Sequence, residues 1–279
     1  MEPRPRSFYV LTAFFILFVI FLYGPTLTIG ILSFQGPGGG LTFPMRGVSL
    51  HWFYDLFEQQ AVGDIWGSFR RSLVLGLMVM VTTIVVSVMG GLAFRKKFPG
   101  STVLFYLIVT ALVIPSILIS LGVGLLFSQA GINVHWATSG YGAQLTWTLP
   151  FGLLIMFAVF NRFDKSYEEA ARDQGATPWQ TIRYVVLPII APSLIGVALF
   201  GFTLSYDEFA RTLLTSGSRN TLPLEIYGMT TNVTSPVLYA LGTLTTIFSL
   251  IVIGTFLGIA VWMNRRRAKK GSDAGKGMV

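Results

Sequence analysis

Residues 167–188 read YEEAARDQGATPWQTIRYVVLP, the longest polar, charge-dense interruption of a chain that is otherwise mostly apolar. Ser166 followed by Glu169 has the spacing of a capping box, in which each side chain can satisfy a backbone donor of the other. A short helix is therefore expected from Tyr167 to about Gln174. Gly175 suits the left-handed position that ends it. Thr177 then offers a second N-cap, and Pro178 fits the first helical position. The second helix places Trp179, Ile182, Val185 and Val186 on one side. Pro188 and Pro192 are expected to break the pattern as the chain returns to an apolar run. A connection that only joined two helices could be far shorter. The segment reads either as two capped helices packed on the protein's own face or as a docking knob for a partner. Ala170, Ala171 and Gly175 would permit close backbone approach, and the charges around them would set orientation.

On either side of this loop the chain is 53% hydrophobic and only 11% charged, with a mean hydropathy of +0.67. Soluble domains carry about 25% charged residues, so much of this surface faces lipid. There is no cysteine, which excludes disulfides and thiolate metal sites. The net charge of +8 sits in short clusters beside apolar runs. That is the pattern of a membrane protein and not of a nucleic-acid binder.

A bilayer core needs about 20 apolar residues per helix. Six segments meet or approach this: 8–31, 72–94, 103–127, 143–160, 189–209 and 237–263. The first is too long for a signal peptide and lacks a small-x-small cleavage pattern after Gly24-Pro25, so it is read as a retained helix. Pro115 and Pro150 each remove a backbone donor, and kinks there are expected to pack within protein or face a cavity. With the N-terminus inside, fifteen of the 20 Lys and Arg residues fall on the inner side and five on the outer. The positive-inside rule then places both termini in the cytoplasm. The awkward pair is Arg70 and Arg71, read as snorkelling to the outer interface.

Between the first two spans, Gln35 to Gly40 reads as a flexible turn. Residues 49–59, SLHWFYDLFEQ, read as a short interfacial helix with Leu50, Trp52, Phe53, Tyr54 and Phe57 towards the bilayer. The basic stretch after Met263 is a tail of disorder-prone composition that holds the last helix end inside. The whole of 1–279 reads as one transmembrane domain, with 161–188 as an inner loop and 264–279 as the tail.

Glu169-Ala170-Ala171, Gly175 four residues beyond Ala171, and Leu187-Pro188 occur in the order and spacing of the EAA loop. In this the chain resembles the membrane subunits of bacterial ABC importers. Val185 stands where that pattern has Ile. The resemblance extends over essentially the whole chain, including FTLSYDEFARTLLT at 202–215. The stretches Leu222 to Tyr227 and Ser235-Pro236 make it most similar to the second permease of spermidine/putrescine-type transporters. It implies an all-α, MetI-like type I ABC importer fold of six transmembrane helices in the bacterial inner membrane. It implies a translocation path for a small solute, led by polyamines and delivered by a soluble binding protein, with amino-acid or opine-like solutes as the alternative. It also implies a second permease forming a heterodimer and two ATP-binding subunits, which use ATP and Mg. The coupling site it implies is Glu168, Glu169, Ala170, Ala171, Gly175, Leu187 and Pro188.

The chain has no phosphate loop, zinc helix or nucleophile turn, and no cofactor of its own is expected, so it reads as a transport subunit and not an enzyme. His51 and His135 have no paired ligand at metal spacing and read as interfacial residues. Tyr206, Asp207 and Glu208 lie near the outer end of the fifth span. Ionisable groups at membrane depth usually face a cavity or a partner. They read as a path for a cationic solute, with Tyr206 as a cation–π face, or as an outer cluster paired with Arg211. An ion-driven secondary transporter would favour charges in span centres and inverted repeats, and neither is evident.

Overall fold

The computed structural model describes residues 5–58, 63–232 and 235–274, and no β-strand occurs among them. Five helices among the described residues are long and apolar enough to cross a membrane, or six if one bent pair is counted as a single span. The chain divides into two compact units, 1–64 with 226–250 and 65–225 with 251–279.

In the first unit, α1 (Arg6–Leu32) is apolar all round and buries none of its span window. Its surface is left to lipid or another subunit. The stretch expected to be a loose turn is instead organised by Gln35, which is fully buried. Its Oε1 accepts from the Arg46 N–H at 2.7 Å, and its Nε2 donates to the Gly40 carbonyl at 3.2 Å. One buried amide thus pairs with two backbone groups of the turn. Helix α2 (His51–Glu58) buries Trp52 and Leu56 and exposes Tyr54 and Phe57, as Leu50 just before it is exposed. The expected short helix is present with Trp52 turned inward, and Gln59 lies outside the described residues. Tyr239 closes the unit by donating to the Leu41 carbonyl at 2.7 Å.

In the second unit, α3 (Ile65–Phe94), α6 (Tyr141–Asn161) and α9 (Leu187–Tyr206) pack pairwise. Small residues set the approach. A Cβ on Gly91 would stand 2.7 Å from the Phe160 ring, and one on Gly201 would stand 3.2 Å from the Met80 Cα. Lipid offers no hydrophobic drive between spans, so close packing and interhelical hydrogen bonds hold them. Thr83 donates to Thr148 across 2.9 Å, and Ser205 donates to Gln144. Beneath them Met156, Phe160, Val186, Ile190 and Val197 form the inner-end core.

The prolines behave differently from one another. The third span is broken: α4 (Ser101–Ala111) and α5 (Ser116–Gln129) meet at 107°, with Pro115 at the start of α5. Pro115 disfavours helical geometry at Ile114, so the expected kink becomes a corner. Pro150 is buried inside an uninterrupted α6, which a π-turn at Trp136–Gly140 extends to 26 residues. Pro188 and Pro192 do not break their helix either. Pro178–Tyr206 runs for 29 residues, from α8 (Pro178–Thr181) through a π-turn (Ile182–Val186) into α9. A π-turn widens the backbone spiral, which makes room for a proline ring that would otherwise strike the carbonyl of residue i−4. The segment 207–221 links α9 to α10 (Leu222–Asn232), and α11 (Val237–Ala274) is one helix. Thus the basic stretch after Met263 continues the last helix as far as Ala274, with Arg266 stacked over Trp262 at 3.8 Å. Residues 275–279 lie outside the described residues.

Candidate functional site

The inner loop begins with α7 (Ser166–Asp173). The expected Ser166–Glu169 box does not form: Lys165 is the N-cap and makes no side-chain cap bond. Asp164 takes the role instead, accepting from the Ser166 N–H at 2.9 Å. A carboxylate is the stronger acceptor at a helix start, where the dipole favours negative charge. The Ser166 N–H and hydroxyl hold the Asp164 carboxyl below its ordinary value.

The end of α7 is a complete Schellman motif. The Gly175 N–H donates to the Arg172 carbonyl at 2.8 Å, and the Ala176 N–H donates to the Ala171 carbonyl at 3.0 Å. Gly175 sits at φ +81° with no heavy atom near its missing Cβ. The need for glycine there is therefore one of backbone geometry and not of space. Thr177 and Gln180 then form a reciprocal capping box at 3.3 and 2.8 Å, with Pro178 at the first turn.

The geometry divides the expected coupling residues. Glu168 is buried and forms an ion pair with Arg95, with Arg172 at 3.4 Å on its other oxygen. The Arg95 guanidinium lies over Phe160 at 5.4 Å and Phe163 at 5.2 Å. Glu169, Ala170 and Gly175 are exposed, and Ala171 is half-buried. Leu187 is half-buried against the inner-end core, and Pro188 is exposed just beyond the π-turn. Trp179 was expected on the apolar side with Val186. It is instead exposed, like Tyr167 and Tyr184, whereas Val186 is fully buried. The residue missed by sequence reasoning is Arg95, which had been counted only as topological charge.

At the other end of α9, Tyr206 is buried and stacked on Phe202 with ring centroids 5.7 Å apart. Asp207 is exposed and forms no ion pair among the described residues. Glu208 is tied to Arg211: its Oε1 accepts from the Arg211 N–H at 2.9 Å, and Nη1 lies 3.4 Å from Oε2. Arg211 is 1% exposed, lies over the Trp147 ring at 4.5 Å and donates to Ser116 Oγ at 2.7 Å. Ser120 Oγ donates to the Arg211 carbonyl and accepts from the Leu214 N–H, each at 3.0 Å. Side chains of α5 and α6 thus hold the 207–221 segment in place, and of the two acids only Glu208 serves that frame. His135 caps the π-turn through Nδ1, which accepts from the Ala137 N–H at 3.2 Å.

Residues 83–270 match the family model of the binding-protein-dependent transport system inner membrane component. The spermidine/putrescine transport system permease protein PotC of Haemophilus influenzae is 26% identical over 88% of this chain and 94% of its own length. The putrescine transport system permease protein PotI of Escherichia coli is 28% identical over 90% of this chain and 88% of its own. A chain of a bacterial ABC transporter involved in the import of alginate superposes with a TM-score of 0.65 at 18% identity, covering 96% of this chain and 99% of that one. A chain of the MetNI methionine ABC transporter, in an inward-facing conformation, gives 0.55 at 18% identity over 71% and 94%. The chain belongs to the binding-protein-dependent transport system inner membrane components, the permease subunits of ABC importers with the type I fold.

Proposed function

We propose that the chain forms part of the translocation path for a small cationic solute, polyamines first, in an ATP-driven importer of the bacterial inner membrane. Both termini lie in the cytoplasm in this reading. The chain pairs with a second, distinct permease and with two ATP-binding subunits that hydrolyse ATP with Mg as cofactor. A soluble binding protein delivers solute from outside.

The observation that carries the reading is the continuity of one helix. The second half of the inner loop, α8, is the beginning of the 29-residue helix that ends at Tyr206. At 1.5 Å per residue this element is about 40 Å long. Closure of the ATP-binding subunits would displace the exposed face of Glu169, Ala170 and Gly175. The Arg95–Glu168 pair carries that displacement to α3, and α8 carries it along α9 to Tyr206 and Asp207. An element with two packed arrangements, biased at both ends, is what alternating access requires. Exposed Asp207 supplies the anionic group for a cation, and the similarity to PotC and PotI supports a polyamine.

The test is uptake of labelled putrescine and spermidine by cells carrying the chain with its genomic neighbours, together with co-purification of an ATP-binding subunit. Uptake that needs ATP and is lost with Glu169→Lys, along with the ATP-binding subunit, supports the proposal. Uptake driven by an ion gradient without any ATP-binding subunit overturns it. Uptake of an amino-acid or opine-like solute in place of polyamines retains the machinery and corrects the solute.

A further inference from the structure

Two cavities meet at the root of the inner loop and share Arg95 and Lys165. The first, of about 610 Å³, carries charge: Arg95, Lys96, Lys165 and Arg172 line it together with Glu168 and Glu169. The Glu168 oxygens are already taken by Arg95 and Arg172. Four cations against two carboxylates leave a cationic excess even with Glu169 counted, and Lys96 and Lys165 are exposed and without an ion pair among the described residues. The second, of about 710 Å³, is walled by the rings of Phe94, Phe105, Phe157, Phe160 and Phe163. Phe157 bridges Phe94 at 4.7 Å and Phe105 at 5.9 Å, so the rings form a continuous wall. Both volumes fall within the roughly 300–1,000 Å³ of ligand sites.

The placement selects the occupant. Phe94 is the last residue of α3 and Asn161 the last of α6, so the ring-lined cavity lies where two spans end. The charged cavity lies just beyond them. Basic pockets at such a level recognise anionic lipid headgroups. An acidic side chain of a protein partner would fill the charged half and leave the five rings bare.

We propose that the two cavities together hold one anionic phospholipid, its phosphate between Arg95, Lys96 and Lys165 and an acyl chain along Phe94, Phe105 and Phe157. The lipid would fill the space between α4, α6 and α7 and steady the part-buried Arg95 against which Glu168 rests. This rests only on the membrane reading of the spans and stands whatever the solute.

The experiment is native mass spectrometry of the full-length chain, purified in detergent and titrated with phosphatidylglycerol. Wild type is expected to retain one lipid in preference to phosphatidylcholine. Lys96→Gln with Lys165→Gln is expected to weaken retention about thirty-fold, at about five-fold per lost cation. Lys97→Gln, which lines neither cavity, leaves it unchanged. Ala158→Trp, at an exposed position of the apolar wall, is expected to abolish retention by filling the groove. Retention indifferent to both changes overturns the proposal. So does displacement by excess inorganic phosphate, which would mark a free-anion site, and so does loss of lipid when an ATP-binding subunit is bound, which would mark a protein contact.

Discussion

Arg95 and Glu168 form a part-buried ion pair between the end of the second span and the first helix of the inner loop, with the guanidinium also covered by Phe160 and Phe163. Their side chains are 14% and 12% exposed, so each charge depends on the other for solvation. Removing Glu168 leaves Arg95 without its carboxylate, and removing Arg95 leaves Glu168 with only the longer contact to exposed Arg172, which is the costly half of such a pair.

Arg95→Ala and Glu168→Gln are each expected to lower stability by about 2–4 kcal/mol and to loosen the inner loop. Arg172→Ala, whose side chain is 62% exposed, is expected to cost under about 1 kcal/mol. Denaturant or thermal unfolding of the purified variants checks the order. The exchange Arg95→Glu with Glu168→Arg should recover part of the loss. Equal effects at Arg95 and Arg172 would show that burial does not set the strength of this pair.

Gly175 separates geometry from space. With φ at +81° and no heavy atom within 4 Å of a Cβ, Gly175→Asn should be mild, because Asn tolerates the left-handed region. Gly175→Val should cost about 1–2 kcal/mol or more. The readout is stability together with retention of the ATP-binding subunit on co-purification. Equal behaviour of Asn and Val would remove the backbone argument.

Asp207 and Glu208 are neighbours with different surroundings, and their variants should part accordingly. Asp207→Asn is expected to raise the KM for a cationic solute about tenfold, or about 1.4 kcal/mol, with assembly intact. Glu208→Gln removes the carboxylate that faces a nearly inaccessible Arg211, and about 1–3 kcal/mol of stability should go with it. Initial-rate uptake and thermal unfolding, measured on the same preparations, distinguish the two. Unchanged uptake kinetics in Asp207→Asn would take that residue out of the path.

Asp164 gives the inner loop an acid-side dependence. Its carboxyl titrates below the ordinary value because the Ser166 N–H and hydroxyl favour the charged form. The stabilisation is therefore complete above the unfolded value, near pH 4, and is lost as pH falls through the lower folded value. The Ser166 amide resonance should titrate in wild type below pH 4 and not in Asp164→Asn. A wild-type midpoint above the ordinary Asp value would contradict the cap.

Much of the inner loop was legible locally. Gly175 as a left-handed stop and Thr177-Pro178 as a helix start depend on neighbours in sequence, and both stand in the structure. The Ser166–Glu169 box failed because a competing acceptor, Asp164, lay two residues upstream of Ser166. The prolines were harder. Pro188 and Pro192 read as breakers and Pro115 and Pro150 as kinks, yet only Pro115 makes a corner, because a π-turn precedes Pro188 and Pro150 is buried within its helix.

By itself the sequence determined the membrane class, the number of apolar runs and the position of the helix–glycine–helix loop. Each follows from hydropathy or from short-range backbone preference, which needs no partner. The division of the two glutamates at 168 and 169 and of the two acids at 207 and 208 was decided only in three dimensions. Arg95 lies 73 residues from Glu168, and Ser116 lies 95 from Arg211. Which of two adjacent carboxylates turns inward depends on where those distant donors stand, and packing alone brings them there.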